Sequence, residues 1–544
     1  MSAMKKNCVI FRNIKLPYDK DEGEAISIAL KKARKLNINA THADARIHKK
    51  SVDARRTPSN PDGRPSFIYS VSISSERAPE AGKLKLADAV YVPDETLSPT
   101  FGNEKIKERP IVVGLGPCGM FCALVLAENG YAPIVIERGA DAESRRAAVD
   151  RFYKTGVLEE SNIQFGAGGA GTFSDGKLVT RINDPKCSYV LGVMHELGAP
   201  EEILYSAKPH VGTDKLLNVV KNASDRIKEL GGEIRYNTRL TDIRIENGKV
   251  KSVKLSSGEE CPCPVLVLAI GHSARDTYSM LFERGCAMAA KPFSVGVRVE
   301  HLQKSVDESL YGRFAGDPRL PVGEYALSHR ERERAVYTFC MCPGGEVGAA
   351  ASEVGGVVTN GMSRYARDGA NANAAIAVSV SPEDYGYSPL DGMEFQRRLE
   401  RAAYESGGGG YTAPAECVGD FLDGRKSGLS APSKVIPTYM NANVNITTLD
   451  SILPAYVNDM LKRGFDVFSR KMKCFGDRSA ILTGVETRTS APLRILRGED
   501  HTALGISNFY PCGEGAGYAG GITSAAVDGI NTALALMERY APEK

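Results

Sequence analysis

The sequence predicts an α/β protein with one central domain built from two separated segments, an α+β domain inserted between them, and a small α/β domain in front. Three observations lead to this prediction. The chain has 544 residues, which is too long for a single hydrophobic core. A buried strand, a glycine-rich turn, a helix and a second strand follow one another from residue 111. A strand end, a glycine-rich loop and a long helix occupy residues 510–540.

Composition indicates a cytoplasmic protein. The net charge is only +3, so no global field favours nucleic acid or a membrane surface as a partner. The first apolar run is interrupted by Arg12 and Lys15, which argues against a signal peptide. The sequence contains no run of about 18 uncharged apolar residues, so it predicts no transmembrane helix. The 12 cysteines are spread along the chain, and we expect mostly reduced thiols.

Residues 1–100 predict the small N-terminal α/β domain. "CVIFRNIKL" is typical of a strand, "EGEAISIALKKARKL" has helical apolar spacing, and "THADARIHKKSVDAR" and "SFIYSVSIS" alternate as strands do. The polar, aperiodic "DETLSPTFGNEKIKERP" predicts a linker. A basic cluster in this domain indicates either contact with an anionic partner or a solvated sheet edge; it comprises His48, Lys49, Lys50, Arg55 and Arg56.

The strongest chemical signal is "IVVGLGPCGMFCALVLAENGYAPIVIE", residues 111–137. Gly114 permits the tight turn after the strand, Gly116 lets a pyrophosphate approach the backbone, and Gly119 allows close packing of helix on strand. The helix N-terminus then faces the phosphates. Glu137 ends the second strand about 20 residues on, where a carboxylate accepts hydrogen bonds from ribose hydroxyls. The pattern predicts a Rossmann-like dinucleotide-binding domain.

Two later features favour FAD over NAD as the dinucleotide. "VLVLAIGHSARDTY", residues 265–278, is a buried strand that runs into Gly271. "YPCGEGAGYAGGITSAAVDGINTALALMERY" is a glycine-rich loop followed by a long helix near the C-terminus. Backbone N–H groups of such a loop suit a flavin ring, and the helix after Gly521 would direct its positive end at the pyrimidine edge.

These motifs carry a family resemblance. The fingerprint, "NIQFGAGGAGTFSDGKL", "AIGHSARDTY" and "GEGAGYAGGI" follow in the order found in two-domain FAD flavoproteins of the glutathione-reductase superfamily. With "KPHVGTDKL", "TFCMCPGGEV", "NGMSRYARDGANANAAI" and "ETRTSAPLRIL", the chain more closely resembles an uncharacterised bacterial family of FAD-dependent, or NAD(FAD)-utilizing, dehydrogenases. The resemblance implies non-covalent FAD and assigns no substrate.

The resemblance also implies site residues. The ADP half would be held by Gly114, Gly116, Pro117, Cys118, Gly119, Glu137 and Arg138. The pyrophosphate or flavin would be covered by Gly168, Gly169, Gly171 and Thr172, and the adenine would lie near Leu240. The flavin would meet Gly271, Gly513, Glu514, Gly520, Gly521 and Ile522.

The source of electrons stays open. A disulfide reductase of that superfamily has a second complete dinucleotide fingerprint and a C-x2-C or C-x4-C pair, and the sequence shows neither. NAD(P)H would therefore have to donate transiently at a site shared with the substrate. The alternatives are an electron-donor protein, or oxidation of the substrate itself.

The inserted block, residues 291–474, predicts an α+β substrate domain and contains "FCMCPGG". Three interpretations of Cys340 and Cys342 remain: redox-active thiols near the flavin, half of a metal site completed by "CPC" at 261–263, or small side chains packed in a core. An extended strand would place their α-carbons roughly 6.6 Å apart, so a disulfide would be strained and easily reduced. The C-x-C spacing argues against zinc, and we predict no metal.

Few other side chains suit acid–base chemistry. His210 in "KPHVGTDKL" and His272 in "AIGHSARD" lie in cofactor-like segments and would titrate near neutrality, or cap a loop. Arg488 in "ETRTSAP" would oppose a negative substrate or reduced flavin, or form a surface ion pair.

The predicted function is an FAD-dependent dehydrogenase or reductase that acts on a small organic substrate by hydride transfer. The predicted domains are residues 1–100, a first FAD-binding segment at 107–290, the insertion at 291–474 and a second FAD-binding segment at 475–544. The alternatives are an RNA-directed flavoenzyme that uses the basic N-terminal domain, and a non-catalytic FAD sensor. The oligomeric state stays open.

Overall fold

A computed structural model describes residues 8–74, 88–92, 97–425 and 434–542. Its contacts divide the chain into two compact units. The first comprises Met1–Ser98, Pro200–His210 and Asp307–Gly323, and the second Pro99–Ala199, Val211–Val306 and Glu324–Lys544. The first unit thus includes two later segments that the predicted 1–100 domain lacks. His210 belongs to this unit and not to the one that contains the fingerprint.

The first unit is an antiparallel sheet with one helix. Its elements are β1 (Cys8–Pro17), α1 (Glu22–Arg34), β2 (Ala45–Asp53), β3 (Ser66–Ser74) and β4 (Ala89–Val92). The strand order is β2-β3-β1-β4. α1 begins after Asp21, whose side chain accepts from Gly23 N at 2.7 Å, and it buries Ala25, Ala29 and Leu30 against the sheet. These elements lie where the sequence predicts them.

The remaining strands are β5 (Glu104–Lys105), β6 (Ile111–Val113), β7 (Ile134–Ile136), β8 (Glu233–Arg235), β9 (Leu240–Glu246), β10 (Lys249–Leu255), β11 (Glu260–Pro262), β12 (Leu266–Leu268), β13 (Met288–Ala290), β14 (Phe293–Leu302), β15 (Ser328–Glu331), β16 (Arg334–Cys342), β17 (Gly345–Ala349), β18 (Thr359–Ser363), β19 (Asn371–Val380), β20 (Ala413–Cys417), β21 (Val444–Ile446), β22 (Ile481–Glu486), β23 (Leu493–Ile495), β24 (Phe509–Pro511) and β25 (Tyr540–Ala541).

The remaining α-helices are α2 (Pro117–Glu128), α3 (Ala142–Thr155), α4 (Lys186–Glu196), α5 (Thr213–Glu229), α6 (Arg275–Glu283), α7 (Gln303–Tyr311), α8 (Pro382–Tyr385), α9 (Asp391–Ser406), α10 (Val418–Asp423), α11 (Ala455–Lys471) and α12 (Ile522–Arg539). Among the described residues, no helix has both the length and the apolar character needed to cross a membrane.

A five-stranded parallel sheet organises the part of the second unit that contains the fingerprint. Its order is β24-β12-β6-β7-β8, so β12 lies between β6 from the start of the unit and β24 from near its end. α2 packs between this sheet and α12. The two helices are so close that a β-carbon at Gly529 would lie 2.1 Å from the Cys118 carbonyl oxygen. The terminal helix is thereby anchored to the fingerprint helix.

A seven-stranded mixed sheet, ordered β15-β16-β19-β14-β22-β20-β21, forms the rest of the core. β22 lies in the segment that the sequence assigns to the second FAD-binding part, yet it pairs with β14, Val297 opposite Gly484. The physical reason is burial: all six residues of β22 are buried, and a strand with two covered faces needs neighbours on both edges. The predicted boundary at residue 474 therefore cuts through this sheet.

Candidate active site

One cavity of about 340 Å³ in the second unit collects most of the predicted residues. It opens where β6, β7 and β12 end, the position at which parallel sheets bind ligands. The predicted cofactor residues that line it are Gly114, Gly116, Pro117, Cys118, Glu137, Arg138, Gly169, Gly171, Leu240, Gly271, Glu514, Gly520, Gly521 and Ile522. His272, Cys340 and Arg488 line it as well.

The fingerprint glycines have separate steric roles. Gly114 has φ +99°, and a β-carbon there would lie 2.5 Å from the Ala269 carbonyl oxygen. A β-carbon on Gly119 would lie 1.9 Å from the Gly114 carbonyl oxygen. Gly116 faces open space, since the nearest atom to its β-carbon position is the Gly169 α-carbon at 3.7 Å. Gly114 makes the turn, Gly119 lets α2 pack closely against that turn, and Gly116 leaves room for a ligand at the start of α2.

Glu137 is held in place by backbone N–H groups. Its Oε2 accepts from Leu115 N at 2.9 Å, and its Oε1 accepts from Gly139 N at 2.9 Å and Gly166 N at 3.0 Å. A carboxylate has about four lone-pair sites, so an acceptor position remains for a ribose hydroxyl. Arg138 beside it is paired with Glu160 and Asp276.

Arg145, which the sequence analysis missed, organises the loop that faces the fingerprint. The side chain is fully buried and donates to five backbone carbonyls at 2.7–3.2 Å. Those carbonyls belong to Asn162, Ile163, Gly166, Ala167 and Gly169. Burial lowers the pKa of Arg145 to about 10, so it stays cationic at neutral pH. The signal available in the sequence was an arginine on the apolar stripe of α3.

Four predicted cofactor residues do not line the cavity. Gly119 packs against the Gly114 carbonyl, and Gly168 faces Thr172 and Val220. The Thr172 hydroxyl donates to the Ala167 carbonyl at 3.4 Å. Gly513 packs against Cys118, where a β-carbon would lie 2.8 Å from that residue's β-carbon. Each of these four residues packs against neighbouring protein, and their ligand contacts stay a prediction.

The two thiols of "FCMCPGG" are placed differently. Phe339 lies opposite Ala375 and Cys342 opposite Asn373, so β16 carries one more residue than β19 over this interval, a β-bulge. Cys340, at the bulge, has φ +43° and lines the cavity. Cys342 is fully buried and does not line it, because it lies behind Gly361 and Gly345. Among the described residues, no group of three or more His, Cys, Asp or Glu side chains is arranged to hold a metal ion.

Arg488 is buried, contrary to the alternative of a surface ion pair. It donates to Glu400 through Nε at 3.0 Å and Nη2 at 2.8 Å, and to Ser273 Oγ at 2.9 Å. His272 Nδ1 lies 3.0 Å from the same Ser273 hydroxyl. Desolvation and the charges of Arg488 and Arg275 lower the pKa of His272 to about 3. The ring is therefore neutral at pH 7, and the expected titration near neutrality is wrong.

The comparisons with known proteins follow this geometry. Residues 292–489, which span β14 to β22, match the family model "FAD-dependent protein, C-terminal domain-like". Over 541 residues the chain is 46% identical to an uncharacterized protein of Clostridium beijerinckii, covering 97% of this chain and 98% of that protein. The chain belongs to this family of FAD-dependent proteins. FAD is its cofactor.

Three solved structures show low similarity to this flavoprotein. Glycine oxidase from Bacillus cereus is 13% identical, with 78% of this chain and 94% of that chain covered and a TM-score of 0.30. L-amino acid deaminase from Proteus vulgaris is 10% identical, with 82% and 94% covered and a TM-score of 0.34. A flavin-dependent brominase is 13% identical, with 78% of each chain covered and a TM-score of 0.35.

The cavity residues of the flavoprotein fit FAD. Helices α2 and α12 both begin at its wall, and each first turn offers N–H groups without an intrahelical partner. β-carbon positions at Gly520 and Gly521 meet no atom within 4 Å, so the loop before α12 leaves open space. The start of α2 would hold the pyrophosphate, Glu137 the ribose and the loop before α12 the flavin.

Sequence reasoning assigned no role to several polar residues that line the flavoprotein's cavity, although all but Arg239 lie in the motifs quoted above. These are Gln164, Asp175, Lys177, Arg239, Ser273, Glu486 and Thr489. Asn360, the first residue of the motif "NGMSRYARDGANANAAI", also lines it. Most come from loops or from the seven-stranded sheet, where no local spacing predicts which residues face one cavity.

The basic cluster of the first unit is partly neutralised there. Lys50 Nζ contacts Glu22 and lies 4.5 Å from the Phe67 ring centre. Arg55 pairs with Asp53 at 2.8 Å. These contacts involve two of the five residues of the cluster, and the choice between a solvated sheet edge and an anionic partner stays open.

Proposed function

We propose that this flavoprotein is an oxidoreductase that transfers a hydride between FAD and a small organic substrate without net charge. The observation that carries the proposal is the continuity of one cavity. Gly116 and Gly521 line it on the cofactor side. Phe339 lines it from β16 of the seven-stranded sheet, Asn360 from β18 and Thr489 from the segment after β22. Bound FAD supplies hydride acceptance or donation, and the protein supplies position and electrostatics.

Charge balance supports a neutral substrate. Lys177 pairs with Asp175 at 2.9 Å, Glu486 pairs with Arg298 at 2.7 Å, and Arg488 pairs with Glu400. These three charged side chains of the cavity wall, Lys177, Glu486 and Arg488, thus each have an opposite charge beside them. An added ionic group would enter a low-dielectric site without a free counter-charge, which is costly.

Glu514 is the best-placed proton carrier. It lines the cavity in the loop before α12, and desolvation raises its pKa to about 7. A carboxyl group with such a pKa can hold or release a proton near neutral pH. The sequence had assigned Glu514 to cofactor contact and His272 to acid–base chemistry. We propose that Glu514 performs the proton transfer, while neutral His272 offers a ring nitrogen as a hydrogen-bonding group.

The fold supports transient use of a nicotinamide donor at the same cavity. Among sheets of three or more strands in the described part of the chain, only the five-stranded sheet is parallel throughout, and it carries the single fingerprint. NADH or NADPH would therefore enter from the substrate side. An electron-donor protein is the competing source.

The test is anaerobic reduction of the holoprotein by NADH, NADPH and a panel of neutral organic donors, followed by flavin absorbance. We expect Asn360→Asp to retain FAD and to slow reduction about tenfold or more, because it adds an unpaired charge to the cavity. Asn443→Asp is the matched control: Asn443 accepts from the Thr412 hydroxyl at 3.1 Å and does not line the cavity. If no donor bleached the flavin, the proposal would give way to a non-catalytic FAD sensor.

A further inference from the structure

Cys340 and Cys342 are brought together by the β-bulge of β16. The bulge interrupts the extended spacing that would hold the two α-carbons near the limit for a disulfide. Cys342 Sγ lies 3.3 Å from the Cys340 carbonyl oxygen, and the two thiols are in hydrogen-bonding contact. Cys340 has φ +43°, a left-handed conformation that is unfavourable for a residue with a β-carbon, and such conformations concentrate at functional sites.

The surrounding charges treat the two thiols unequally. Arg298 Nη1 donates to the Cys340 carbonyl at 3.1 Å, and Lys177 contacts the Met341 carbonyl. The Cys342 thiol, Arg298 and Lys177 lower the pKa of Cys340 to about 7, against the effects of burial and Glu486. Contact with Cys340 and burial raise the pKa of Cys342. This is the asymmetry of a reactive thiolate beside a resolving thiol.

The two thiols also differ in their access to the cavity. Cys340 lines the cavity with Glu514 and Gly521, and its charge acts on Glu514, which lies in the flavin loop. Cys342 is fully buried. A partner in electron exchange therefore reaches the pair through Cys340, from the side on which FAD binds.

A second pair of cysteines in the same unit provides a comparison for Cys340 and Cys342. Cys118 and Cys512 are also in hydrogen-bonding contact and buried, but the carboxylate beside them is Asp528. Cys512, burial and Asp528 raise the pKa of Cys118. Contact between two cysteines is therefore not sufficient to lower the pKa of a thiol. The positive charges beside Cys340 account for its lower pKa.

We propose that Cys340 and Cys342 form a dithiol–disulfide couple that exchanges two electrons with the bound FAD. In oxidation of the pair, two S–H bonds break and one S–S bond forms. The two electrons and two protons lost by the thiols are taken up by the oxidised flavin. In the reverse direction, the disulfide receives two electrons and two protons from reduced flavin. The inference goes beyond the proposed function, because it needs bound FAD and no organic substrate.

Peptide mapping of the wild-type protein gives a direct test. Cleavage after Arg334 and Arg364 releases residues 335–364, which contain Cys340 and Cys342 and no other cysteine. We expect this peptide to be lighter by two hydrogen atoms in air-oxidised holoprotein, and to regain them after anaerobic reduction by dithionite. The apoprotein exposed to oxidised glutathione should show the same loss. Residues 402–425 contain only Cys417 and provide the internal control.

Electron counting gives the second test. During anaerobic dithionite titration, oxidised wild-type holoprotein should take up four electrons per chain, two for FAD and two for the disulfide. Cys340→Ser should take up two. Cys417→Ser, a buried thiol of the same core sheet, should still take up four. The inference is overturned if the 335–364 peptide keeps both hydrogens under every oxidant, or if wild type and Cys340→Ser take up equal amounts. Neither result bears on hydride transfer from an organic donor.

Discussion

Arg488 and Glu400 form a two-pronged ion pair at the wall of the cavity, with Nε–Oε1 at 3.0 Å and Nη2–Oε2 at 2.8 Å. The same carboxylate accepts from Arg275 at 2.7 and 2.8 Å. One buried carboxylate thus forms ion pairs with two buried arginines. The two arginines lower the pKa of Glu400 well below its usual range, so it stays ionised at neutral pH. Arg488 is held by protein, and its charge is already balanced.

Glu400→Gln should lower the free energy of unfolding by about 3–5 kcal/mol, because it leaves two buried guanidinium groups without their shared anion. Equilibrium urea unfolding measures the change. Glu394→Gln is the matched control on the same helix, since Glu394 is 49% exposed where it meets Arg397, and it should change stability by less than about 1 kcal/mol. Equal effects of the two substitutions would show that the buried pair is not a major structural element.

Gly119→Ala should remove bound FAD. Its β-carbon would lie 1.9 Å from the Gly114 carbonyl oxygen, so helix α2 must shift away from the turn. Flavin absorbance per protein after gel filtration measures the loss. Gly192→Ala is the control: a β-carbon there meets no atom within 4 Å, and alanine stabilises a helix interior by about 0.5–1 kcal/mol. Full FAD occupancy in Gly119→Ala would contradict the close-packing role.

Local geometry explains why the sequence predicted this part of the site. Gly114, Gly116, Gly119 and Glu137 act within one strand–turn–helix–strand unit, where spacing along the chain determines placement. The bulge at Cys340 depends instead on its pairing with β19, some thirty residues later, and no spacing rule contains that information. For the same reason, the sequence analysis assigned β22 to the second FAD-binding segment, although β22 pairs with β14, which lies far away in sequence.

Arg145 shows a second limit. Its partners are backbone carbonyls, which every residue has, so no side-chain motif marks them. Only its position on the buried face of α3 distinguished it in the sequence.

Arg145→Lys should detach the loop at residues 162–169 and weaken FAD binding. A lysine ammonium has three donors, whereas the guanidinium donates to five carbonyls here, so buried acceptors would be left unsatisfied. Each unsatisfied group costs about 1–3 kcal/mol. We expect faster limited proteolysis of the loop and at least tenfold weaker FAD binding by fluorescence titration. Arg146 is exposed, and Arg146→Lys should match wild type. Equal proteolysis rates and FAD affinities in the two variants would argue against the role of Arg145 in holding the loop.

Glu514 should make the stability of the apoprotein fall as pH rises towards neutrality. Its pKa is raised to about 7 in the folded protein, against about 4.3 in an unfolded chain, so the folded state holds the proton more tightly. The resulting stabilisation is fully present below about pH 4 and is lost as the pH rises through 7. The difference corresponds to about 4 kcal/mol.

Glu514→Gln removes this ionisation. Measured by urea unfolding at several pH values, the stability of the variant relative to wild type should therefore increase between pH 4 and 7, and level off above that range. Glu538→Gln, an exposed position on α12, should follow wild type throughout. The pH dependence of flavin reduction should also lose its step near pH 7 in Glu514→Gln, because a glutamine cannot carry the proton. A step of unchanged size and position in that variant would assign the proton transfer to another group.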